Sequence, residues 1–313
     1  MSQTPQESAY RVTNWSQYNA ALVKRGSLTV WVDQEALGAW HYQGPPRWGA
    51  QFIYSDTAIQ CLLTLRAVFH LPLRATQGLA HSIFQLMGLP LDVPHSSTLS
   101  RRAATTRIDL PKQGDGPLQL VIDSTGLKLY GEGEWKVRQH GSSKRRTWRK
   151  LHLAVDPESH QIQAAMVTEA GVTDAEVFGD LLDQVERPIT EAAADGAYDQ
   201  AEVYDALAAR GAKALIPPRT DAKIKVHGNT KGAPHPRDQN LRAIRRKGRR
   251  GWKRAVGYHM RSLAETAIQR IKGIFGDRLW GREWRRQASE LGIRCRALNI
   301  MTHLGMPVSV KLV

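Results

Sequence analysis

Apolar positions change their period about a third of the way along the chain. Residues 55–88 hold two blocks with helical spacing. "SDTAIQCLLTLRAVFH" opens on Ser55 and Asp56 as cap residues, and "LPLRATQGLAHSIFQLMG" begins near Pro72 and stops at Gly88. "LPLDVPHSSTLSRRAATTR" follows, in which Ser96 or Ser97 can cap a short helix that offers Thr98, Ser100, Arg101 and Arg102. Two helices, a turn and a short polar-basic helix make a helix-turn-helix-like pattern. An ordinary helical subdomain would read the same way.

The Pro/Gly-rich stretch "PKQGDGP" (111–117) marks a boundary. Beyond it "LQLVIDSTGLKLY", "KLHLAV" and "QIQAAMVT" read as strands, with "DPES" turning between the last two. "DAEVFGDLLDQV" predicts a helix with Asp174 as its N-cap, and "ITEAAADGAY" a short strand and turn. "QAEVYDALAARG" predicts a helix preceded by Asp199 and ended by Gly211, and "KALIPP" a last strand. The expected fold is α/β, a mixed sheet with flanking helices preceded by a mainly helical domain, divided as 1–112 and 113–313.

Residues 258–276, "YHMRSLAETAIQRIKGIFG", predict one amphipathic helix. At about 100° per residue, Tyr258, Arg261, Glu265 and Lys272 fall within an arc of roughly 60°, and the apolar side chains occupy another face. A solvated face with a surface salt bridge would also give such a stripe.

Charge narrows the function. Lys and Arg number 44 against 29 Asp and Glu, a net +15, which draws polyanions, nucleic acid foremost. No apolar run approaches a membrane span of about 20 residues, and the N-terminus lacks an apolar signal core. Cys61 and Cys295 are too few for a disulfide framework or a cysteine metal site, which fits a reducing cytoplasm. Two segments concentrate the basic charge. Residues 237–254 include Arg245, Arg246, Arg249 and Arg250, and residues 131–150 include Lys144, Arg145, Arg146 and Arg149 with Trp135 and Trp148 interleaved.

Three acids stand apart. Asp123 ends an apolar strand before small polar residues, Asp195 follows three alanines and precedes a glycine, and Glu265 lies on the amphipathic stripe. Taken singly, either Asp could be a turn former. Asp156 is assigned to the hairpin turn. If the first and fourth strands are neighbours and the later helix crosses them, the three carboxylates meet. Such a cluster of hard oxygens calls for Mg²⁺ or Mn²⁺, and two ions would serve phosphoryl transfer.

"VIDSTGLKLYGEGEWKVRQHG", "WRKLHLAVD", "AAADGAYD", "ALIPPR" and "RSLAETAIQRIKGIFG" resemble the blocks of DDE transposases of bacterial insertion sequences of the IS-five type, as do "NWSQYNAALVKRGSLTVW" and "LRAVFHLPLRATQGL". The likeness spans nearly the whole chain. Tyr258, Arg261, Glu265 and Lys272 match the family signature Y-x2-R-x3-E-x6-K in full. The resemblance implies an RNase H-like core with Asp123, Asp195 and Glu265 as metal-binding catalytic triad, and Tyr258, Arg261 and Lys272 facing the DNA end. It also implies double-stranded DNA partners (terminal inverted repeats and target), cleavage at element ends with transfer of the 3′ ends, a homodimer holding two ends, and a bacterial, cytoplasmic setting. Two departures remain. His95 stands where relatives carry an acid after the proline, which leaves the start of that helix open. The interval from Asp195 to Glu265 is too short for the inserted β domain of some transposases. Cutting without joining, or DNA binding without chemistry, are the other readings of the same fold; intact acids and stripe spacing argue against the second.

Overall fold

The computed structural model describes residues 10–32, 34–46, 48–49, 51–129, 148–225 and 235–312. The N-terminal part is helical: α1 (Trp15–Lys24), α2 (Leu28–Trp31), α3 (Gln34–Gly38), α4 (Asp56–Val68), α5 (Leu73–Leu86) and α6 (Ser96–Arg102) follow a short strand, β1 (Tyr10–Val12). The Ser55 side chain caps α4 by accepting from Ala58 N–H, as the sequence predicts. At α6 the cap differs. His95 is the N-cap, its Nδ1 accepting from Ser97 N–H, so an imidazole does the work that an acid would do and Ser96 becomes the first helical residue.

Beyond residue 117 come β2 (Leu118–Leu129), β3 (Trp148–Val155), β4 (Ile162–Glu169), α7 (Phe178–Leu182), β5 (Ile189–Ala193), α8 (Ala201–Ala209) and β6 (Lys213–Leu215). They are followed by α9 (Pro236–Ala255), α10 (Ser262–Phe275), β7 (Arg278–Leu279), α11 (Trp284–Leu304) and β8 (Ser309–Lys311). The six-stranded sheet runs β4-β3-β2-β5-β6, with β7 paired to the far end of β2. β3 is antiparallel to both its neighbours, whereas β5 and β6 run parallel to β2. Numbered from β2 as first, the order is 3-2-1-4-5, that of an RNase H-like core.

Alternation along β2 sorts its side chains between two cores. Leu118, Leu120 and Ile122 pack with Phe178, Leu182, Tyr204 and Leu207 beneath α7 and α8. Val121 and Leu127 pack on the opposite face with Ala264, Ala267, Ile271 and Leu298 of α10 and α11. This second core does not stop at residue 112. Ile59, Leu62 and Leu65 of α4 belong to it, and β1 pairs antiparallel with β8. Asn299, fully buried on α11, ties the junction. Its amide donates to Pro111 O and Ile162 O, and its carbonyl accepts from Ile162 N–H. The secondary structure changes at 111–117, but the packing is continuous across it.

Three local expectations are corrected. The helix expected over 174–185 is helical only at Phe178–Leu182, and Asp174 caps nothing; it pairs with Lys150 Nζ at 3.1 Å. Asp199 is likewise no simple cap. It is buried and accepts both from the Arg237 guanidinium and from the Tyr204 hydroxyl, which fastens α9 to the sheet. The stripe helix is two elements: a 3₁₀ turn at Tyr258–Arg261 entered through left-handed Gly257 (φ 66°), then α10. Asp156 takes its expected place in the hairpin turn, accepting from Glu158 N–H and the Ser159 hydroxyl.

Candidate active site

The strand register brings the first two acids together. Val121 of β2 is level with Ala193 of parallel β5. Asp123 and Asp195 each lie two residues further on, so both carboxylates stand at one level, on adjacent strand paths about 4.8 Å apart. Val121 and Ala193 both belong to the core under α10, which sets the face that the two acids share. Asp195 Oδ1 accepts from Ala197 N–H at 2.9 Å and caps the 3₁₀ turn Gly196–Tyr198. Asp123 Oδ1 accepts from Ser124 N–H at 2.9 Å.

α10 supplies the third acid from its first turn. Arg261, at the N-terminus of that helix, links the elements: Nη1 donates to Asp123 Oδ2 at 3.3 Å, and Nη2 donates to Glu265 Oε1. Burial raises the Asp123 pKa, and the charges of Asp195 and Glu265 add to the rise, while the Ser124 N–H and Arg261 oppose it. Burial also weakens the hold of Arg261 on its proton, but Asp123, Tyr258, Glu265 and Asp195 more than offset this and its pKa is raised. One guanidinium thus compensates a group of mutually repelling carboxylates. Among the described residues no three His, Cys, Asp or Glu side chains form a ready metal cage. The donor set is nonetheless all carboxylate oxygen, which suits a hard divalent cation such as Mg²⁺ or Mn²⁺.

The rest of the stripe divides. Tyr258 is buried, and its hydroxyl donates to Ala194 O, one residue before Asp195, at 3.1 Å; burial pushes its pKa up to about 12. It therefore holds the exit of β5 in place. Lys272 is half-buried on the last turn of α10, about 10 Å beyond Glu265 along the axis. Beside Glu265 opens a cavity of about 440 Å³ lined by Arg250, Lys253, Arg254, Tyr258, His259 and Arg261. α9, whose end carries Arg250, Lys253 and Arg254, is kinked at Gly248 (φ 71°, ψ 157°). Of the cavity-lining residues, Lys253 and Arg254 belong to the basic segment 237–254 without having been singled out in it, and His259 was passed over; closeness to Tyr258 in the chain was the available signal.

Among the other basic residues, Arg245 and Arg246 are exposed, as is Arg250. Arg249 donates to Pro218 O at 2.6 Å, and Arg149 Nε donates to Gln287 Oε1 while its guanidinium lies 5.0 Å from the Trp284 ring centre. Arg101 is exposed on α6. Arg102 is not a surface contact: it is 6% exposed, donates to Tyr54 O and Asp56, and lies over the Phe52 ring. Trp148 is half-buried against Gly126. Lys144, Arg145, Arg146 and Trp135 lie outside the described residues.

Two family profiles, each described as "Transposase DDE domain", match residues 23–132 and 114–300. The chain belongs to the DDE transposases. A solved structure similar to it, a piggyBac transposase synaptic complex with hairpin DNA determined by cryo-EM, is 11% identical over 90% of this chain and 76% of that one, with a TM-score of 0.39. No described helix of this transposase is long and apolar enough to cross a membrane.

Proposed function

We propose that this transposase, of the IS-five type, binds the terminal inverted repeats of an insertion sequence, cuts at the element ends and joins the freed 3′ ends to target DNA. The observation that carries this reading is the shared level of Asp123 and Asp195, with Glu265 joined to Asp123 through Arg261. Asp123, Asp195 and Glu265 would hold divalent cations, Mg²⁺ or Mn²⁺, two in the reading favoured here. When bound, these supply activation of the attacking oxygen and stabilisation of the leaving one. Before DNA arrives, Arg261 neutralises part of the acid charge and keeps Asp123 and Glu265 oriented. Tyr258 fixes the strand exit that carries Asp195. The cations lining the adjoining cavity, with Arg245, Arg246, Arg250, Arg101 and Lys272, attract and align the phosphate backbone, and two ends require at least a homodimer.

The test uses the full chain and a labelled duplex bearing a terminal repeat. Asp123→Asn, Asp195→Asn and Glu265→Gln should each leave repeat binding within a few-fold of wild type and abolish cleavage, because affinity comes from cations and chemistry from the acids. Retained cleavage in any variant removes that residue from the site. Precut ends with a target plasmid then separate joining from cutting: cleavage with no joining would make this chain a nuclease.

A further inference from the structure

Next to the acids, on the α7 and α8 side of the sheet, lies a group of polar side chains that the proposed chemistry leaves unused. By alternation Ser124, the neighbour of Asp123, faces that side with Ile122, and His152 of β3 stands opposite Ser124 in register. His152 is fully buried; its Nε2 meets Thr168 Oγ1 at 2.8 Å, and its Nδ1 lies 3.5 Å from Asp174 Oδ1. Lys150 Nζ holds the segment ahead of α7, donating to Val172 O at 2.9 Å and to Asp174 Oδ1 at 3.1 Å.

Tyr198 joins this group from the β5 side and is tied to Asp195. It ends the 3₁₀ turn that Asp195 caps, and its N–H donates to Asp195 O at 3.2 Å. Its ring packs edge-on against Phe178, with centres 5.7 Å apart. The residue is 1% exposed, yet its hydroxyl has no hydrogen-bond partner. A buried hydroxyl without a partner costs stability, and phenylalanine would fill the same space without that cost. Burial pushes the Tyr198 pKa up, and the charges of Asp174, Asp123 and Asp195, in that order, push the same way against Arg261. The hydroxyl is thus a donor that keeps its proton, set among three carboxylates and bonded to none. Asp174 already has Lys150 as its partner, whereas Asp195 has a donor among the described residues only at Oδ1.

We propose that Tyr198 is a positioning residue for the acid pair, its hydroxyl donating to the Asp123–Asp195 carboxylates in their metal-loaded arrangement. Carboxylates that ligate a cation are themselves held by hydrogen bonds, and loss of such a partner typically costs about 10- to 100-fold in metal affinity or activity. The proposal rests on the metal reading above and adds a residue to it. It also accounts for a tyrosine where packing alone would favour phenylalanine.

The test titrates the full chain with Mn²⁺ in a calorimeter without DNA, then follows cleavage of the labelled terminal-repeat duplex against Mn²⁺ concentration. Tyr198→Phe should bind Mn²⁺ about 10- to 100-fold more weakly than wild type. Its metal-free Tm should stay level or rise, because the unpaired hydroxyl is gone. Cleavage should need correspondingly more Mn²⁺ and recover as the ion saturates, with the KM for duplex unchanged. A role in packing alone would move neither the Mn²⁺ affinity nor the metal dependence. Wild-type Mn²⁺ affinity in Tyr198→Phe overturns the proposal, and so does a clearly lowered metal-free Tm, which would give the hydroxyl a structural partner. Full coupling of Tyr198→Phe with Asp174→Asn in Tm, at unchanged Mn²⁺ affinity, would assign the hydroxyl to Asp174 and overturn it as well. If Asp123→Asn and Asp195→Asn bind Mn²⁺ as wild type does, the metal reading fails and the role of Tyr198 with it. If those two lose the ion and Tyr198→Phe does not, only the role of Tyr198 fails.

Discussion

Arg101 and Arg102 are neighbours on α6, and their replacement by alanine should have opposite consequences. Arg102 Nη1 donates to Tyr54 O at 2.7 Å, Nη2 meets Asp56 Oδ1 at 2.5 Å, and the guanidinium carbon lies 3.8 Å from the Phe52 ring centre. The charged hydrogen bond to a backbone carbonyl contributes about 1.5–3 kcal/mol. The Asp56 side chain is 51% exposed, so that pair is discounted to about 0.5–1 kcal/mol. The ring contact contributes about 1 kcal/mol. Arg102→Ala should therefore cost roughly 3–5 kcal/mol. With an unfolding entropy of about 2.1 cal/mol/K per residue, a chain of 313 residues should lose roughly 5–8 °C in Tm. Arg101 has only a 3.5 Å contact with Thr98 Oγ1 and is exposed, so Arg101→Ala should change Tm by less than about 1 °C. If it reads a guanine edge, selectivity for the repeat over scrambled duplex should fall by about 1–3 kcal/mol. Differential scanning fluorimetry and competition gel shifts on both variants decide the matter. An Arg102→Ala protein of unchanged Tm and lowered selectivity would refute the reasoning, because it would make Arg102 a DNA contact and not a buried anchor.

Asp123→Asn should raise Tm at neutral pH in metal-free buffer while abolishing cleavage. Because its folded pKa is raised, the native state holds more protons than the unfolded chain just above pH 3.8, stability falls as pH rises through that window, and the full penalty persists above it. A thermal-shift series should show the gain of the variant vanishing as pH drops below the window. His152 is fully buried and its pKa is lowered to about 4, chiefly by burial against the opposing pull of Asp174. The unfolded chain gains that proton near pH 6.5, so on the order of 3 kcal/mol should drain away between pH 6.5 and 4, and His152→Gln should flatten that part of the curve in urea titrations. Asn299→Ala removes three hydrogen bonds, two to the buried Ile162 backbone and one to half-buried Pro111 O, and should cost about 3–5 kcal/mol, measured as a lower urea midpoint with unchanged slope.

The strands were legible because alternation survives in them: Leu118, Leu120 and Ile122 face one core and Val121 the other, as a period of two requires. Asp123 and Asp195 could be singled out for the small residues around them, and parallel register then makes their distance along each strand equal. Arg102 could not be told from Arg101, since a bare arginine carries no mark of burial and its partners Tyr54 and Asp56 lie far back in the chain. Tyr258 fell on the stripe only under the assumption of a regular α-helix, which the 3₁₀ turn Tyr258–Arg261 removes. Asp174 read as a cap because its true partner, Lys150, sits on a strand that local pattern does not connect to it.

The core shared by α4, α10 and α11 also sets an order of events during synthesis. α4 and α5 emerge from the ribosome well before Leu291, Ile293 and Leu298, which complete their packing from far downstream in the chain, and β1 waits for β8 in the same way. A nascent or prematurely terminated chain therefore exposes apolar helix faces and carries α6 without a finished support. Under the proposed function, competence to grip DNA would arrive late, when Glu265 is already translated. Truncated products of this gene should accordingly be cleared as misfolded protein instead of occupying DNA as inactive competitors.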